Sequence, residues 1–132
     1  MKRLLLGLML LVTATAASAE WTRIASGGNG ELIEYVDRAT IRRNGNLVKM
    51  WDLADHKTIQ KGAAGESYLS SKSQQEYECK EEKVRTLAFT WFDEQMGNGK
   101  VVYSVGNARG EWSPIEPESM GEALWKIACG KN

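Results

Sequence analysis

One histidine, two cysteines and no surplus of either charge are what this 132-residue sequence has least to offer, and each shortage closes off a class of function. With His56 alone and no C-x-x-C spacing, the chain lacks the clustered imidazoles and thiolates that a zinc or other transition-metal centre requires. No metal and no cofactor are therefore expected. Seventeen basic side chains face seventeen acidic ones. Such parity argues against a nucleic-acid binder, which needs a basic excess to neutralise phosphates. It is also a poor match to electrostatic binding at an anionic membrane. The longest apolar run, Leu4 to Val12, is too short to span a bilayer.

That run reads instead as part of an export signal. It follows Lys2 and Arg3 and precedes Ala17-Ser18-Ala19, which is the order of charge, apolar core and small-x-small cleavage site. Cleavage after residue 19 makes Glu20 the first mature residue and leaves 15 basic against 17 acidic side chains. No cysteine stands near the cleavage point to be acylated. The expected product is exported, periplasmic or secreted, without a lipoprotein anchor. Residues 20–132 suffice for one domain with one core of modest stability.

The two cysteines, Cys79 and Cys129, are an even count in an exported chain and read as a disulfide. Closing a loop of that length stabilises a fold by about 4 kcal/mol, less any strain. A catalytic pair could be drawn from His56 and either cysteine, but oxidised thiols are not nucleophiles. The carboxylates Asp52 and Asp55, or Glu116 and Glu118, could be cast as acid–base pairs, yet nothing in the sequence sets either across a cleft. His56, between Asp55 and Lys57, reads as a solvated strand-end residue. No catalytic residue is assigned and no enzyme is expected; ligand-binding residues stay unassigned.

What the chain does have is strand-like sequence punctuated by glycine. Asn29-Gly30, Asn44-Gly45 and Asn98-Gly99 each stand between β-type segments, where tight hairpin turns need positive φ. "ESYLSSKSQQEYECK" reads as a further, more exposed strand. Period-two alternation groups Leu87, Phe89 and Trp91 on one face, and Val101, Tyr103 and Val105 on another. It also pairs Tyr77 with Cys79 on an apolar side, with Glu76, Glu78 and Lys80 turned to water. "PESMGEALWKIACG" carries a helix signature. Ser119 and Glu122 form a capping box, Ala123, Leu124, Ile127 and Ala128 an apolar stripe widened by Trp125 and Cys129, and Gly130 a left-handed stop.

"MGNGKVV" lacks the spacing and hydroxyl of a phosphate loop and reads as a turn. "KEEKVR", Lys80 to Arg85, is a solvated turn or, more sharply, a site for an anionic partner. The five tryptophans divide between core and, where exposed on a sheet face, a protein-binding patch.

Taken in order, Trp21, "EYVD", "VKMWDL", "YECKEEKVRTL", "MGNGKVVYSV", "EWSPIEPES" and "ALWKIAC" resemble the surface-adhesin E family of small exported bacterial proteins, over nearly the whole length from Trp21 to Cys129. The resemblance implies an α+β fold: a single curved antiparallel sheet of about six strands, with a C-terminal helix packed on its concave face and tied by a Cys79–Cys129 disulfide. It implies a non-enzymatic module that binds host or envelope proteins. The alternative is a small periplasmic ligand binder or an inhibitor of a hydrolase. An open sheet also leaves edges through which a homodimer can form.

Overall fold

The computed structural model describes residues 19–132, so the expected export signal lies, but for its last residue, outside the described residues. The chain forms β1 (Thr22–Gly27), β2 (Leu32–Asn44), β3 (Leu47–Lys61), β4 (Ser67–Glu78), β5 (Lys83–Phe92), β6 (Val101–Val105), a two-residue β7 (Ser113–Pro114) and α1 (Met120–Cys129). The strands run as an antiparallel meander in the order β1 to β6, with β7 paired to β5 beyond the reach of β6. The sheet curls into a half-barrel.

Each hairpin is made by what its turn residues tolerate. Asn44 ends β2 and faces Leu47, so the turn is Gly45-Asn46 rather than Asn44-Gly45. Gly45 sits at φ +63° in the first central position, as a type II′ turn requires. Asn29 and Gly30 both take positive φ in a short 3-10 turn between β1 and β2. The Asn98-Gly99 segment is not a tight turn. Residues 93–100 form a longer loop that folds back on the sheet, with Met96 N–H donating to Asp55 Oδ1 at 2.8 Å and Gln95 Nε2 donating to His56 O at 3.0 Å.

Helix α1 begins as its sequence dictates. Ser119 is the N-cap and accepts from Glu122 N–H at 3.1 Å; Gly130 closes the helix in the left-handed conformation at φ +66°. Leu124, Trp125, Ala128 and Cys129 are its buried residues. They meet Val36, Val48, Met50 and Tyr77 on the inner, concave face of the sheet, and together these make the core. The Cys79–Cys129 disulfide ties the last helical residue to the end of β4. Trp125 Nε1 donates to Glu78 O at 3.1 Å, which satisfies the one polar group of a buried indole.

Three strand-level expectations change. The Ser- and Gln-rich β4 is a central strand between β3 and β5, not an exposed one. Its small hydroxyls fit beneath other segments: fully buried Ser70 donates to Glu94 O at 2.6 Å and accepts from Gly97 N–H at 2.8 Å. Glu76 is not turned to water but is buried against Arg85. Bulges break two of the alternations. Thr86 and Ala88 pair with Gln75 and Gln74, so Leu87 is squeezed out of line with Phe89 and Trp91. Val101 pairs with Phe92 while Tyr103 pairs with Trp91, which separates Val101 from Tyr103 and Val105.

Candidate functional site

Residues paired across neighbouring strands share a face, so the register maps the inner face directly. One row crosses the sheet as Val36, Asp52, Ser73, Phe89 and Val105. The next runs Ala25, Glu34, Ala54, Ser71, Trp91 and Tyr103. Helix α1 sits over the β1–β4 side of this face. The β5–β6 side is left without a covering element among the described residues. Between the two lies a strip of small residues, Ala54, Ser71 and Ser73, which leaves the aromatics beyond it standing as a wall.

That wall is continuous. Tyr68 stacks on Trp91 at 4.4 Å between ring centroids with 15° between planes. Trp91 meets Tyr103 at 5.1 Å and Phe89 at 5.7 Å, and Phe89 meets Tyr103 at 5.8 Å. His56 closes the far end, edge-on to Tyr68 at 5.9 Å. Tyr103 is 44% exposed, and Val101 on the same strand 57%. Strand β6 ends the meander, so among the described residues its outer edge presents unpaired backbone groups beside these side chains.

At the opposite border of the strip, against the helix, Glu34 and Asp52 are buried side by side. Burial pushes Glu34 up to about 10, with the neighbouring Asp52 charge adding to the effect. Burial also raises Asp52, to about 6, while bonding to Glu34 and Gln75 works the other way. The pair thus holds one proton across the neutral range, as two close buried carboxyls must. Tyr77, buried in the same core, is pushed well up by its own burial and by these two carboxyls. Asp52 Oδ2 and Tyr77 Oη are buried without a hydrogen-bond partner among the described residues.

The sequence candidates for catalysis are not brought together. Both cysteines are consumed in the disulfide, so His56 has no thiol to activate. His56 is a half-buried residue within β3, not a strand-end one, and burial lowers its basicity against the opposing pull of Asp55. Asp52 and Asp55 point to opposite faces, because Asp52 pairs with Val36 and Asp55 with Ile33. The carboxyl pair that does form, Glu34 with Asp52, went unassigned. Its signal was present, since Glu34 stands two residues before Val36 and Asp52 two after Met50, each in phase with core. Tyr68 as a member of the wall had no such signal: three extra residues in β3 between Asp55 and Gln60 reset its neighbourhood.

A family model described as surface-adhesin protein E matches residues 21–130. Among solved structures, crystal form II of Haemophilus influenzae protein E is similar with a TM-score of 0.64 at 14% identity, covering 91% of this chain and 94% of that one. Its selenomethionine form gives 0.62 at 13% identity, with 89% and 91% covered. Protein E from non-typeable Haemophilus influenzae gives 0.60 at 14% identity, with 91% and 82% covered. At such identities the likeness is one of fold. No curated protein sequence matches.

Proposed function

The chain belongs to the surface-adhesin protein E family, and from that premise we propose that it is an exported, non-enzymatic module that binds another protein through the open half of its inner face. The observation that carries this reading is the aromatic wall of Tyr68, Phe89, Trp91 and Tyr103 on a sheet side that no element covers among the described residues. Clustered aromatics that are only half-buried, with Tyr103 exposed, cost a monomeric domain solubility, and they supply large contact area with few side-chain rotors to immobilise in a complex. The free edge of β6 adds a second mode of grip. An extended partner segment pairing there would set alternate side chains against Tyr103 and Val105.

The partner is a host or envelope protein, in keeping with the surface-adhesin family. Export by residues 1–19, followed by folding of residues 20–132 as one domain, fits this role. Among the described residues no helix is long and apolar enough to cross a membrane. The test is capture of extracellular-matrix and envelope proteins on the purified mature chain. Trp91→Ala and Tyr103→Ala together should lower retention at least about tenfold, the scale of a hot-spot loss, with the far-ultraviolet circular dichroism spectrum unchanged. Equal retention by the folded double variant would move the binding surface elsewhere.

A further inference from the structure

The outer face carries charge that the aromatic wall does not use. A bulge in β2 between Asp37 and Arg42 sets Arg42 opposite Lys49 on β3. The same row continues through Glu76 on β4 to Arg85 on β5. Glu76 is already neutralised, accepting from Arg85 Nε at 2.8 Å and lying 2.6 Å from its Nη2. The only other ion pair among the described residues is Glu122–Lys126, so Arg42, Lys49 and Arg109 are charges without a carboxylate partner there.

Two cavities flank the Glu76–Arg85 pair. One, of about 190 Å³, is lined by Arg42, Arg43, Asn44 and Lys49 together with Leu47 and Glu76. The other, of about 330 Å³, lies among Arg85, Asn107 and Arg109, with Leu87 and Ala108. The first therefore combines Arg42 and Lys49 with the Asn44 amide, and the second Arg109 with the Asn107 amide beside the already paired Arg85. The cations are held in place by the fold. Arg42 Nη1 donates to Ala39 O at 2.8 Å and Ile41 O at 2.9 Å. Arg43 is not among them: it pairs with Val48 and so turns to the inner face, where it donates to Gly45 O and Cys129 O, both at 3.3 Å. Trp112 lies 4.5 Å from the Arg85 guanidinium. Arg109 rides on a loop pinned by Ala108 N–H to Leu87 O at 2.7 Å and Gly110 N–H to Thr86 O at 3.2 Å. A Cβ on Gly110 would stand 2.9 Å from Thr86 O, so that close approach requires glycine.

Guanidinium groups fixed by backbone carbonyls, with further N–H donors unspent, receive sulfate or phosphate oxygens at low entropic cost. We propose that this outer row is a docking site for a sulfated polysaccharide, with sulfate groups entering the two cavities and sugar hydroxyls meeting Asn44 and Asn107. The cavities are roughly 10 Å apart, two strand spacings. A single small anion would fill one of them, whereas a linear chain with repeating charges bridges the neutral ion pair between them. A flat anionic membrane would touch this curved outer face along a narrow line, whereas a flexible chain can follow it from one cavity to the other.

Titration of the intact mature chain with a heparin-derived octasaccharide, between 50 and 200 mM salt, tests this. Arg42→Gln with Lys49→Gln should weaken binding about tenfold or more and shallow the salt dependence, by about one unit of slope per cation lost. Arg109→Gln should act in the same direction. Lys57→Gln with Lys100→Gln removes the same charge from other surfaces and should leave affinity unchanged. Equal loss in that control pair, or no binding at 50 mM salt, would overturn the proposal. So would tighter binding to phosphatidylglycerol vesicles than to the saccharide with the same residue dependence.

Discussion

Glu34 and Asp52 stand where the alternation of their strands calls for apolar residues, and the consequence is a stability that depends on pH. Both carboxyls are raised in the folded chain, to about 10 and about 6, chiefly by burial. A raised acid means that the folded state holds protons which the unfolded chain releases. The contribution is thus fully present below the ordinary carboxylate range and is lost as pH rises, first through about 6 and then toward about 10. His56 works in the opposite sense, because its lowered basicity favours the folded state above its ordinary value. The pair is therefore best isolated by difference. Glu34→Gln should raise the melting temperature relative to wild type at pH 8, and the gap should shrink or reverse at pH 4. A gap that is constant with pH would deny the shared proton.

At the scale of elements, α1 and the 93–100 loop show two ways of fastening a segment to a sheet. The helix is written locally: Ser119, Glu122 and Gly130 set its ends, and its stripe of Leu124, Ala128 and Cys129 faces the core at the expected spacing. The loop is not written locally at all. Its anchors are Ser70 and Asp55, on strands that precede it by more than twenty residues. Ser70→Ala would leave Glu94 C=O and Gly97 N–H without their partner in a packed site. It should cost about 1–3 kcal/mol of stability, the desolvation penalty of such groups. Hydrogen exchange at Gly97 should accelerate in the same variant, and unchanged exchange with unchanged melting would show the anchor to be dispensable.

For the molecule as a whole, each face of the one sheet is only partly covered by the described residues. The helix closes part of the inner face and leaves the aromatic wall; the returning loop closes part of the outer face and leaves the basic row. The Cys79–Cys129 bond holds this division, since it joins the helix to the sheet across 50 residues. Cys129→Ala should destabilise the chain by up to about 4 kcal/mol and loosen α1, as read by thermal unfolding and by quenching of Trp125 fluorescence. Melting equal to wild type under oxidising conditions would deny the bond that role. Partner capture through Trp91 and Tyr103 should survive the change at temperatures where the sheet stays folded, because the wall and the helix occupy different parts of the face.

By itself the sequence determined what depends on neighbours in the chain. The helix with both its caps, the run of strands and the apolar phase of Tyr77 are local patterns that appear in the fold as read, while the Cys79–Cys129 bond follows from there being only two cysteines to pair. What depends on register was decided only by the tertiary structure. A bulge shifts every following side chain to the other face, so the separation of Val101 from Tyr103, the displacement of Leu87 and the alignment of Arg42 with Lys49 follow from pairings that no single strand encodes. The order of the strands put polar β4 inside the sheet, and the register shift between Asp55 and Gln60 brought Tyr68 onto Trp91. Both candidate binding surfaces are products of several strands meeting in one register, which is why their members, but not their constellations, could be named beforehand.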